Sequence, residues 1–91
     1  MAHTIQMTVN ASLKEADLIF RILNFKEDIH RELLQGEYGT VAEPASMDKA
    51  LAPVTITIPR KRHCDHITSF MAGALGRHAV GHAVHIATEH S

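Results

Sequence analysis

The stretch Arg77-His78-Ala79-Val80-Gly81-His82-Ala83-Val84-His85-Ile86-Ala87-Thr88-Glu89 decides how this chain folds. As a strand it sends Val80, His82, Val84 and Ile86 to one face and Ala79, Gly81, Ala83, His85 and Ala87 to the other. As a helix it lines up His78, His82 and His85 at i, i+4 and i+7, with Glu89 one step beyond. Gly76 and Gly81 weaken a helix, the β-branched residues favour a strand, and two strands alone make a poor sheet. The strand is therefore the preferred reading of 77–89. The helix is its alternative, and it alone would gather the histidines.

Two further segments share the period of two. Ile5, Met7 and Val9 alternate with Thr4, Gln6 and Thr8, and Val54, Ile56 and Ile58 alternate with Thr55 and Thr57 before Pro59 stops the ladder. Each has an aliphatic face to bury and a threonine-rich face for water. Between them Ser12-Leu13-Lys14-Glu15 has the form of a capping box, predicting a helix from Ser12 to about Gln35 with Gly36 as its left-handed cap. Leu18, Ile22, Phe25, Ile29 and Leu33 form one helical stripe, and Ala16, Ile19, Phe20 and Leu23 widen it through the first half. Beyond Phe25 the other faces are polar, with Lys26, Glu27, Asp28, His30, Arg31 and Glu32 read as solvated. Two explanations fit the broad first half: deep packing on its own sheet, or a contact with a second chain through Leu18, Ile22, Phe25 and Ile29.

A second helix begins near Asp65, carries Ile67, Phe70, Met71, Ala74 and Leu75, and stops at Gly76. Residues 39–53, with Pro44 and Pro53 towards their two edges, have no sustained period and read as a flexible loop, although Ser46 to Leu51 has the composition for a helical turn or two. The order is thus β-α-β-α-β. With both helices on one face of a short sheet, the fold is α+β, a small two-layer α/β sandwich.

At 91 residues and 10.0 kDa the chain reads as a single domain, 1–91. It has no run of 18 or more apolar residues and no basic-then-apolar leader, so neither a membrane partner nor secretion is expected. Cys64 is the only cysteine and has no intrachain partner, which points to a reducing compartment, the cytoplasm. A domain this small buries a modest core, so a homodimer or other homo-oligomer is expected, with a different protein as the alternative partner.

Histidine is over-represented, with 8 in all and six after Arg60. Residues 1–59 carry five Lys/Arg against eight Asp/Glu, whereas 60–91 carry four against two, so the last third is basic and becomes more so as histidines protonate. If the C-terminal strand is a self-association edge, this composition predicts that acid weakens it by like-charge repulsion.

Three clusters invite chemistry. Arg60, Lys61 and Arg62 at a helix start, with Arg77, would attract a phosphate or nucleic acid, but the turn lacks the glycines of a phosphate cradle. The sequence isoelectric point near 6.7 and the shortage of aromatics, with Phe20, Phe25, Phe70, Tyr38 and no tryptophan, also disfavour nucleic acid. His63, Cys64, His66 and His82 are donors of the kind zinc takes, without a recognised zinc spacing. Cys64 beside His63 and His66 is a candidate thiol nucleophile, which adjacent cations and a helix start would activate. Against these stand solvated basic residues, exposed histidines and a structural cysteine. The favoured reading is a non-catalytic interaction module without a cofactor, self-associating through the broad helix or the sheet edge. An anion or nucleic-acid binder and a small metal- or thiol-dependent enzyme are the alternatives.

Overall fold

The strand β1, His3–Val9, lies inside the sheet, its aliphatic residues alternating with polar ones. In a computed structural model describing residues 2–42 and 46–89, it pairs on both sides. On one side lies β3, Val54–Ile58, with Ile5 opposite Ile56; on the other lies β4, Val84–Glu89, with Met7 opposite Ile86. A two-residue strand, β2, Thr40–Val41, pairs outside β3. Every pairing is antiparallel and the spatial order is β2-β3-β1-β4. With helix α1, Ala16–Gly36, after β1 and helix α2, Cys64–Arg77, after β3, the chain has the split βαβ arrangement β-α-β-β-α-β.

The α+β two-layer expectation holds: both helices cover the aliphatic face. Ile5, Met7, Val54, Ile56, Ile58 and Val84 from the sheet meet Leu18, Ile22, Phe25, Ile29 and Leu33 from α1, and Cys64, Ile67, Met71 and Ala74 from α2, in one buried cluster. The opposite face is polar. Thr40, Thr57, Thr4 and Glu89 form one cross-strand row, Thr55, Gln6 and Ala87 the next, and Thr8 with His85 the last.

Several local expectations are corrected. Ser12 does not begin α1: its Oγ accepts the Lys14 backbone N–H at 3.2 Å and closes a separate turn, and the helix starts at Ala16. The left-handed residue at the end of α1 is Glu37 (φ 54°), not Gly36. A Cβ on Gly36 would collide with the Tyr38 ring, so the glycine is spent on that close approach and Glu37 turns the chain. At the end of α2 the residue with positive φ is Ala79 (φ 53°), not Gly76, which lies inside the helix. Val80 N–H donates to Leu75 O at 3.0 Å and Ala79 N–H to Gly76 O at 3.2 Å, a Schellman closure.

The predicted strand over 77–89 is shorter than expected. Its first seven residues complete α2 and form a turn: Val80 is fully buried as an anchor, and Ala83 and Val84 both donate their N–H to Val80 O, at 2.9 and 3.1 Å. The reading of 39–53 as a loop is also revised, because it contains β2 and a 3-10 turn, Met47–Lys49. Residues 43–45 of that segment lie outside the described residues.

Lys26, read as a solvating residue, is 5% exposed. Its Nζ donates to the carbonyl oxygens of Lys49 at 3.3 Å, Ala50 at 2.7 Å and Ala52 at 2.9 Å. An ammonium has three protons and these are three acceptors, so its burial beside α1 is compensated and the 3-10 segment is tied down.

Candidate functional site

The stripe considered for a second chain, Leu18, Ile22, Phe25 and Ile29, is between 0 and 3% exposed in the domain's own core. It is therefore no contact surface. The outward apolar residues are Leu13, Phe20, Leu34 and Met47. Leu13 and Met47 border an open groove of about 470 Å³ with Ile19, Leu51 and Ala52.

What the fold leaves unsatisfied is the β4 edge. Asn10 N–H donates to Ala83 O at 2.7 Å, and the pairing runs one-to-one from Val9–Val84 to Thr4–Glu89. In an antiparallel pair, hydrogen-bonded and non-bonded positions alternate, so His85, Ala87 and Glu89 direct their backbone groups at β1 while Val84, Ile86 and Thr88 direct theirs away from it. The far side of the sheet obeys the same alternation. Ala42 N–H donates to Thr55 O at 3.0 Å, so Thr55 and Thr57 serve β2, and Ile56 is left to exchange with Ile5. Since the Val84 N–H turns back to Val80 O, the free edge offers both groups of Ile86 and Thr88 and the carbonyl of Val84.

Exposed edges are normally blunted by proline, lysine, an inward charge, a bulge or shortness. β2 is blunted by its two residues. β4 is six residues long, contains neither proline nor lysine, shows no bulge in its register, and turns only Val84, Ile86 and Thr88 to the inner face. His85, Ala87 and Glu89 stand exposed on the outer face.

The other candidates do not converge. Arg60, Lys61 and Arg62 are exposed where α2 begins, but the 14-residue helix carries Arg77 to its opposite end, ~20 Å away. There the Arg77 guanidinium lies 5.2 Å from the centre of the Phe70 ring. Asp65 in the first turn of α2 already answers the positive end of the helix.

Of the four candidate metal ligands, His63 and His66 pack against Tyr38, with ring centroids 4.8 and 4.7 Å from it. Cys64 points into the core at 2% exposure, and His82 sits exposed in the turn before β4. Among the described residues no three His, Cys, Asp or Glu side chains group as a metal site. The expected activation of the thiol is reversed. Burial pushes the Cys64 thiol above its ordinary pKa, the Asp65 charge adds to that, and Lys61 offsets it only in part. His63 is held below the usual histidine range by burial and by the charges of Arg62, Arg60 and His66.

Sequence reasoning missed a pair joining the two helices. His78 Nε2 donates to Asp28 Oδ2 at 2.6 Å, Arg31 Nη1 lies 3.2 Å from Oδ1, and the Phe25 ring meets the imidazole edge-on. Arg21 Nη1 donates to Ala79 O at 3.3 Å, bracing the same turn. These contacts fix the start of β4. Fifty residues separate Asp28 from His78, and no local spacing signals such a pair.

Comparison of the chain with protein-family profiles, curated proteins and solved structures finds no match. No helix among the described residues is long and apolar enough to cross a membrane.

Proposed function

We propose that this chain is a non-catalytic protein-interaction module that self-associates by strand addition along β4. One observation carries the reading: a six-residue edge with backbone donors and acceptors at Ile86 and Thr88 and with no proline, lysine or bulge, on a sheet whose other edge is two residues long. An added strand satisfies those groups and extends the core beside Ile86, which is half-buried in the single chain. The cytoplasm is the compartment we propose, supported by a lone cysteine held inside the core.

The test is sedimentation of the full chain from low-micromolar to near-millimolar concentration, beside Thr88→Pro. Proline removes an N–H that faces the free edge and leaves the β1 ladder its hydrogen bonds. The wild type is expected to associate reversibly and Thr88→Pro to stay monomeric with an unchanged circular-dichroism spectrum. A wild type that remains monomeric throughout, or a folded Thr88→Pro that associates as well as the wild type, overturns the reading.

A further inference from the structure

We infer that the β4 edge takes the β4 edge of a second copy, antiparallel about a two-fold axis through Ala87, with His85 of each chain facing Glu89 of the other. The inference rests on the strand-addition reading and adds its partner, its register and its response to pH.

Residues directly opposite in an antiparallel ladder share a face of the sheet. To keep Ile86 and Thr88 on the helix-covered side and His85, Ala87 and Glu89 on the open side, a residue must pair with one of its own parity. Two central registers fit. One places Ile86 opposite Ile86 and His85 opposite Ala87. The other places Ala87 opposite Ala87, Ile86 opposite Thr88 and His85 opposite Glu89. Both use all the free N–H groups, since Ile86 and Thr88 donate from each chain.

Charge separates them. The Ala87 register sets an imidazole against a carboxylate twice, whereas the Ile86 register leaves both charges unpaired. Its centre is a pair without mutual hydrogen bonds, where the strands approach most closely, and Ala87 has the small side chain that such a position accepts. Two-fold symmetry makes the contact closed, so it ends at a dimer.

The groups facing His85 are Thr8 of β1 beside it and, across the axis, the second chain's carboxylate; β1 presents only Thr4, Gln6 and Thr8 on that face. The helices lie on the other face. Of the remaining late histidines, His63 and His66 pack against Tyr38, His78 is committed to Asp28, His82 stands in the turn, and His90 lies outside the described residues. The expectation that acid weakens association therefore changes sign. A protonated His85 opposite an ionised Glu89 adds an attractive pair on each side of the axis, so mild acid is expected to tighten the dimer.

The experiment combines cross-linking with sedimentation of the full chain. Ala87→Cys places two sulfurs across the axis at a Cα separation of about 4.5 Å, inside the disulfide range. It is expected to form a disulfide dimer under mild oxidation, with His85→Cys as a control that does not, since position 85 faces 89. Sedimentation at about pH 7.5 and about pH 5.5 is expected to show a dimer Kd about three- to tenfold tighter at the lower pH, and Glu89→Gln to abolish that change. A dimer that Thr88→Pro abolishes but that Ala87→Cys fails to trap, or whose Kd does not tighten in acid, overturns this register while leaving strand addition standing. A wild type that never associates, or a dimer that Thr88→Pro leaves intact, overturns both.

Discussion

Ala79 and Glu37 stand in left-handed conformations that cost an L-residue roughly 1–2 kcal/mol, and each lies close to a glycine that does not take the role. At Glu37 the reason is steric, because Gly36 must admit the Tyr38 ring. At Ala79 the conformation is held by the Schellman hydrogen bonds and by Arg21 on its carbonyl. Ala79→Gly is thus expected to raise stability by about 0.5–1 kcal/mol, read as a higher urea midpoint with an unchanged slope. Asp28 supplies a second residue-level test. Its carboxyl is held below the ordinary aspartate range chiefly by the His78 hydrogen bond, burial opposing and the charges of His78, Arg31 and Arg77 assisting. A depressed carboxyl pKa gives stability that is present above the unfolded value near 3.9 and lost as pH falls through the folded one. Asp28→Asn should therefore lower stability at neutral pH by about 1 kcal/mol and flatten its decline between about pH 5 and 2, as followed by urea melts across that range.

Among the elements, the segment from Met47 to Ala52 has the least regular sequence pattern and the most specific tether. Helix α1 supplies Lys26, whose ammonium answers three carbonyls at once. Lys26→Met keeps the aliphatic stem and takes the ammonium donor from the Ala50 and Ala52 carbonyls, the former in a buried bond, while Lys49 O keeps the Ala52 N–H at 3.1 Å. We expect a loss of about 2 kcal/mol, seen as a fall in Tm of about 10 °C, and faster proteolytic cleavage between residues 46 and 52 than in the wild type. Equal cleavage rates would show that the tether does not hold the segment. The same lysine shows how an element-level reading of sequence goes astray. Its position at the polar margin of the α1 stripe suggests solvent, and only the return of a distant backbone segment over that margin buries it.

For the whole molecule, the distribution of apolar surface decides where contact can occur. The Leu18 to Leu33 stripe of α1 is consumed by the core, while Phe20 and Leu34 of the same helix stay exposed. The sheet edge differs from these scattered side chains in carrying a row of backbone groups turned away from β1. Association through it, as proposed, would couple folding to concentration, because a partner that binds only the folded state stabilises it by mass action. The Tm of the wild type is therefore expected to rise with protein concentration while that of Thr88→Pro does not, a comparison that differential scanning calorimetry makes directly.

The sequence by itself determined the two-layer α+β architecture, since alternation in Thr4–Val9 and Val54–Ile58 and the stripe from Leu18 to Leu33 follow from local periodicity. It also carried the strand character of the C-terminal segment, though not its start at Val84. Tertiary structure alone decided which residues became buried ties and which became surface. Lys26, the Asp28–His78 pair and the inward Cys64 depend on segments far apart in the chain, and no short-range pattern encodes such meetings. The histidines show the same division. Their number is a property of composition, but the fold sends His78 to an aspartate, His63 and His66 to Tyr38, and His85 alone to the open face of an edge strand, because each follows the backbone of its own element.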